Sequence, residues 1–211
     1  MPPTDRKAWE SEDRMSDPRK LILVKHSLPD VDPSQPASRW PLSDEGRLRC
    51  LPLADRLAQY QPVHLATSSE PKAIATAEIV SERLGTPFEV TEGLHEHDRS
   101  NERFVEAEEF QAAVASFFDR PDELVMGRET ASQAEMRFGE AVQRLLVRHT
   151  TGNVAIVAHG TVISLYVARH AGVEPMPLWR RLGLPSFVVL SLPDLGMLDV
   201  IENVDADATP K

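Results

Sequence analysis

A single cysteine among 211 residues, Cys50, leaves nothing from which a disulfide framework could be built. Its setting in "GRLRCLPLADRL" is that of a helix face turned to a core, so it reads as a buried thiol and not a nucleophile, in a reducing compartment, the cytoplasm. No run approaches the ~20 apolar residues of a membrane span. The opening segment, "MPPTDRKAWESEDRMSDP", has no apolar stretch of signal-peptide length. No block of lysine and arginine interrupts a chain of formal net charge -10, which argues against nucleic acid and anionic membrane as partners. A small anionic substrate would therefore need its own local cationic pocket. Internal repeats and low-complexity tracts are absent as well.

What the chain does have is alternation. Residues 1–18 are polar and charged and read as a disordered or loosely attached arm, and 206–211 as a flexible tail. Between them, 19–205 reads as one domain, for which 41% apolar residues supply an ample core. "KLILVK" is a short apolar run of the kind buried on both faces of a parallel sheet, and "PLSDEGRLRCLPLADRLAQY" follows as a helix with Ser43 as N-cap. "PVHLATSS" is the next strand. "EPKAIATAEIVSERLG" is the next helix, capped by Ser68 or Ser69, with Pro71 in its first turn and Gly85 at its end. "PFEVTEG" gives a weaker strand, and 99–128 an irregular, helical insertion. Thr130 and Gln133 have capping-box spacing, ahead of a helix whose apolar face is Ala134, Phe138, Ala141 and Leu145. "VAIVAH" is a strand, "TVISLYVARHAG" a helix, and "SFVVLSLP" with "MLDVIENV" a closing antiparallel hairpin. The expected architecture is a three-layer α/β/α sandwich, a mostly parallel mixed sheet with helices on both faces.

Two strands end on histidine, His26 and His159. A lone histidine after a strand is more often structural than catalytic. In open α/β sheets, however, ligands bind beyond the carboxyl ends of the strands, where these two can meet. Lys72, early in its helix, can join them, and the helix after His159 would aim backbone N–H groups at the same place. Cations, imidazoles and a helix N-terminus together suit a phosphoryl group.

The same residues carry a likeness. "KHS" at 25–27, "LSDEG" at 42–46, "SSEPKAIATA" at 68–77, "LHEHDR" at 94–99 and "AHG" at 158–160 occur in the order of the motifs of the histidine phosphatase superfamily, also called phosphoglycerate mutase-like, which this chain resembles from about residue 20 to 205. The resemblance implies a phosphoglycerate mutase-like fold and a metal-independent phosphomonoesterase of the histidine acid phosphatase kind, without cofactor. In that reading His26 attacks phosphorus and forms a phosphohistidine that water hydrolyses. Lys25, Lys72 and His159 hold the phosphoryl oxygens, with Ser27 and Gly160 lining the same site. Glu96 protonates the leaving oxygen and is kept protonated by partial burial.

The chain departs from the family where its motif arginines are expected, since lysines stand at 25 and 72, and Ser27 stands where glycine is usual. Two other functions compete, a non-catalytic phosphate-binding relative and a phosphoglycerate-type mutase. The substrate, a small phosphorylated molecule or a phosphoprotein, is not named by the sequence, and neither is the oligomeric state. "HEHD" at 95–98 invites a metal, but no third ligand accompanies His95 and His97. His64 and His149 read as packed or solvated, and His170 as complementing its helix's C-terminal carbonyls. Trp40 and Trp179 read as residues of Pro-flanked loops, one of Arg99, Arg103 and Arg128 as reaching substrate, and "EAEE" at 106–109 as a solvated helix face.

Overall fold

Four consecutive apolar residues, Leu21 to Val24, need cover on both sides, and both sides supply it. In the computed structural model, which describes residues 18–204, β1 (Lys20–Lys25) lies inside a six-stranded sheet of order β3-β2-β4-β1-β5-β6. The other strands are β2 (Pro62–Thr67), β3 (Phe88–Val90), β4 (Asn153–Ala158), β5 (Ser186–Ser191) and β6 (Met197–Ile201). β1 pairs parallel with β4, β4 with β2, and β2 with β3, while β5 is antiparallel to β1 and β6 to β5. The closing hairpin expected from the turn residues is therefore present. Most of the expected arm and all of the expected tail at 206–211 lie outside the described residues.

Side-chain alternation along β1 divides the core in two. Leu21 and Leu23 join Ile156, Ala158, Val188 and Leu190 on one face, under α4 (Ala131–Arg148) and α5 (Gly160–Ala171). Ile22 and Val24 join Ala155, Val157, Phe187 and Val189 on the other, under α1 (Asp44–Ala58) and α2 (Pro71–Leu84). This is the expected three-layer sandwich. No helix among the described residues is long and apolar enough to cross a membrane.

Local chemistry fixes most boundaries. Ser43 Oγ accepts the Gly46 N–H at 3.0 Å and starts α1. Thr130 and Gln133 close a reciprocal capping box on α4. Gly85 takes the left-handed conformation that ends α2. The start of α2 differs from the expectation. Its N-cap is Glu70, and Ser68 Oγ instead accepts the Glu70 N–H at 3.2 Å. The 99–128 insertion is helical only in α3 (Ala107–Asp119). Trp179 is not in a loop but in α6 (Pro175–Arg181), a short helix started by Pro175, its ring against Phe110.

Gly46 allows a close approach. A Cβ there would lie 2.1 Å from the Leu28 carbonyl oxygen, so only glycine lets the chain after β1 lie across the start of α1. Ser27 Oγ donates to the Gly46 carbonyl at 2.8 Å and ties the same crossing.

Candidate active site

The ladder runs one residue past the strand ends. His26 N–H donates to Ala158 O at 3.0 Å, and Ser68 N–H to Val157 O at 2.9 Å. The ends of β1, β2 and β4 are thereby drawn to one point, and the His26 and His159 rings lie edge to face with centroids 5.1 Å apart. Residues distant in sequence meet because β1 and β4 are neighbours.

His26 Nδ1 lies 2.7 Å from the Ser27 carbonyl oxygen. A carbonyl can only accept, so Nδ1 carries the hydrogen and Nε2 keeps its lone pair. Burial pushes the imidazole well below its usual range, and His159 and Lys72 push it the same way, so the ring is neutral near pH 7. His159 is likewise driven down, by burial first and by Lys72 second. Its Nε2 lies 2.8 Å from Ser68 Oγ and its Nδ1 has no partner.

Glu96 is aimed by a neighbouring helix. Arg137 of α4, paired with Glu129, donates to the carbonyls of Gly93 at 2.8 Å, His95 at 2.9 Å and Glu96 at 3.2 Å, which holds the 93–96 segment in place. The Glu96 carboxylate then receives the N–H groups of Thr161 at 3.1 Å and Val162 at 3.2 Å, at the positive end of α5. Burial alone would raise its pKa. His159, Arg99 and the N–H groups of His97 and Thr161 outweigh that, and the carboxyl is held below its usual range. Two expectations need correction here. The carboxyl is not kept protonated by burial, and α5 gives these N–H groups to the protein's own carboxylate.

Lys72 is buried and paired with Glu70, and it also donates to the Ala37 carbonyl at 2.7 Å. Glu70 Oε1 accepts the Glu96 N–H at 2.8 Å and lies 3.5 Å from His159 Nε2. One carboxylate thus touches three members of the site.

A cavity of about 350 Å³ opens over this cluster. Of the residues singled out from the sequence, His26, Lys72, Glu96 and His159 line it. Lys25, Ser27 and Gly160 are not among its lining residues. The Lys25 ammonium turns to the other face and donates to the Leu182 carbonyl at 2.6 Å, where burial pushes its pKa down to about 8 against the pull of Glu96. Ser27 is sealed against Gly46. Gly160 begins α5 above Lys25, whose Cε would lie 3.1 Å from a Cβ at that position.

Arg99 lines the cavity, stacked over Phe110 at 4.5 Å, whereas Arg103 is exposed beside Glu109 and Arg128 is exposed. Glu70 was not anticipated. Its signal was an acidic residue immediately before a proline at the first helical position. Trp40 also lines the cavity, and His170 lies in the last turn of α5, its ring against Tyr166. His64 and His149 stack on each other at 4.0 Å, away from the site. His95 lines the cavity and His97 packs on Phe117. Among the described residues, no group of three or more His, Cys, Asp or Glu side chains could hold a metal ion.

The sequence profile of the histidine phosphatase superfamily (branch 1) matches residues 21–194. The chain belongs to that superfamily. Solved structures of similar fold include three bacterial and protist proteins with which this superfamily member shares little sequence. A mycobacterial glucosyl-3-phosphoglycerate phosphatase is 20% identical, with a TM-score of 0.71 over 89% of this chain and 100% of its own. YhfR of Bacillus stearothermophilus is 24% identical, with a TM-score of 0.69 over 87% of this chain and 96% of its own. A phosphoserine phosphatase of Entamoeba histolytica in complex with 3-phosphoglyceric acid is 15% identical, with a TM-score of 0.69 over 87% of this chain and 96% of its own. No curated protein sequence matches it significantly.

Proposed function

We propose that this chain hydrolyses phosphomonoesters through a phosphohistidine on His26, in the cytoplasm. The observation that carries the reading is the His26 ring, neutral, with its hydrogen fixed on Nδ1 by the Ser27 carbonyl and its Nε2 unshared beside the cavity. That is a prepared nucleophile. The Nε2 lone pair forms the N–P bond as the ester P–O bond breaks. Lys72, Arg99 and His159 hold the non-bridging oxygens, and Lys25 acts as a charge behind them, not as a direct ligand.

Glu96 supplies and recovers the proton. In the free protein it is ionised, but a phosphoryl dianion competes for Arg99 and His159 and places like charge beside the carboxylate, which raises its pKa. The protonated form arises with substrate bound and gives its proton to the leaving oxygen. The resulting carboxylate then takes a proton from the attacking water as the O–P bond forms and the N–P bond breaks. Ester and water become alcohol and phosphate.

The test is turnover of a broad phosphoester panel by wild type and His26→Ala, with acid-labile, base-stable phosphate trapped on the protein. His26→Ala is expected to lose turnover and trapping while its circular dichroism is unchanged. A variant as active as wild type refutes the nucleophile. A second reading, phosphate binding without turnover, is favoured by the engagement of Lys72 with Glu70 and of the α5 N–H groups with Glu96. It wins if wild type binds inorganic phosphate and hydrolyses nothing on the panel.

A further inference from the structure

Once His26, Lys72, Glu96, Arg99 and His159 are assigned to the phosphoryl group, the cavity wall still presents a carboxylate and an aromatic ring, those of Asp98 and Trp40. The His97 Nε2 lies 3.2 Å from the Glu129 carbonyl oxygen, so the ring hydrogen is there, and Nδ1 is an acceptor. That Nδ1 has no partner and is itself sealed from solvent, its ring packed on Phe117, so His97 offers a ligand nothing through it. Next to it, Asp98 takes the Ser100 N–H at 3.0 Å, and although burial opposes it, the Ser100 contacts keep its carboxyl below the usual range.

Trp40 stands on the same cavity. Its indole N–H is spent on the carbonyls of Asp32 at 2.8 Å and Gln35 at 3.2 Å, and its ring is tilted against Phe104 with centroids 6.3 Å apart. What the ring still offers is its π face. A carboxylate and a fixed indole face on one cavity attract one kind of group, a cation with N–H or N–CH₃ surface. The charge balance agrees. With Glu96 protonated in the complex, Glu70 and Asp98 balance Lys72 and Arg99 on the cavity wall, so a bound phosphoryl dianion leaves the occupied site net negative and disfavours a leaving group with a further carboxylate or phosphate.

The geometry points to a phosphomonoester whose leaving group is positively charged, an amino alcohol, as the substrate class. This rests on the hydrolysis reading, and the test separates the two. Phosphoethanolamine, n-propyl phosphate and phosphoglycolate are close in size, with leaving groups that are positive, neutral and negative. The expected order of kcat/KM is the order in which they are named, with ~10-fold or more between first and last. Asp98→Asn should narrow that ratio. Binding of the same three esters to His26→Ala, read by calorimetry, should rank them identically without any chemistry. If the binding order holds and wild type turns over none of them, hydrolysis is refuted and the ligand class stands. If phosphoglycolate is bound or hydrolysed as well as phosphoethanolamine, or if Asp98→Asn leaves the ratio unchanged, the ligand class is refuted whatever the turnover.

Discussion

Replacing Lys72 by methionine tests the site and its support together. The Lys72 and Glu70 side chains are 6% and 8% exposed and form an ion pair, so Lys72→Met strands a carboxylate nearly sealed from water. Breaking a buried pair from one side costs about 3–5 kcal/mol. For a chain of this length that lowers the melting temperature by on the order of 10 °C. In the proposed mechanism the same change removes a cation from the phosphoryl oxygens, which by comparison with loss of one oxyanion donor costs on the order of 10²–10³ in rate. Glu70→Gln made on the Lys72→Met background neutralises the stranded charge. Most of the lost stability should return, while hydrolysis should stay low. Thermal unfolding by circular dichroism and phosphate release from one ester, both on the four proteins of the cycle, give the two readouts. If the two stability losses simply add, the pair is not coupled. If Lys72→Met hydrolyses as fast as wild type, Lys72 does not touch the phosphoryl group.

Stability should fall on the acid side earlier than carboxylates alone would make it. His26 and His159 have folded pKa values below the ordinary 6.5, so between those values and 6.5 the unfolded chain takes up protons that the native state refuses. Their contribution is complete above pH 6.5 and is lost as pH falls below it; urea midpoints at a series of pH values check this, and equal midpoints on both sides of 6.5 refute it. Lys25→Met should slow hydrolysis by about tenfold, far less than Lys72→Met, because its ammonium is turned to the Leu182 carbonyl and would act on the proposed phosphoryl site only at a distance. Equal losses for the two variants would put Lys25 on the phosphoryl group. Gly46→Ala should destabilise by about 1–3 kcal/mol, since the new methyl meets the Leu28 carbonyl oxygen and the loop after His26 must move. An unchanged melting temperature would refute the close approach.

The strand-end histidines were legible because two independent signals coincide at them, an apolar run that ends and a polar residue that ends it. The cap at Thr130 was legible for a similar reason, as it is written in two residues three apart, and that at Ser43 because a serine stands just ahead of an apolar periodic run. Lys25 was misplaced, yet the period of a strand contains the answer. Neighbours on extended chain face opposite ways, so Lys25 follows Leu21 and Leu23 toward α5 and α6, whereas His26 lies beyond the strand. Glu70 was hidden because a serine pair offers the more familiar cap. The state of Glu96 was beyond the sequence altogether, since it depends on α5 backbone, Arg99 and His159, brought together only by the fold. The helix that holds Trp179 is hidden in the sequence because seven residues of "PMPLWRR" hold too few turns to show a period.

The place of β1 in the sheet sets a timetable for biosynthesis. Its two hydrogen-bonded neighbours are β4 and β5, and β2, made next, sits on the far side of β4. A nascent chain that has just emerged with Leu21 to Val24 must wait about 130 residues for the strand that covers that edge, roughly 10 s at bacterial or eukaryotic elongation rates. A truncated product ending before β4 lacks the strand that stands between β1 and β2 in the sheet. Until then the most apolar segment of the chain is an unpaired edge, the kind of surface that holdase chaperones recognise. When β4 arrives it sets the second histidine beside the first in the same step, so recovery of activity during refolding would report the closing of the sheet itself.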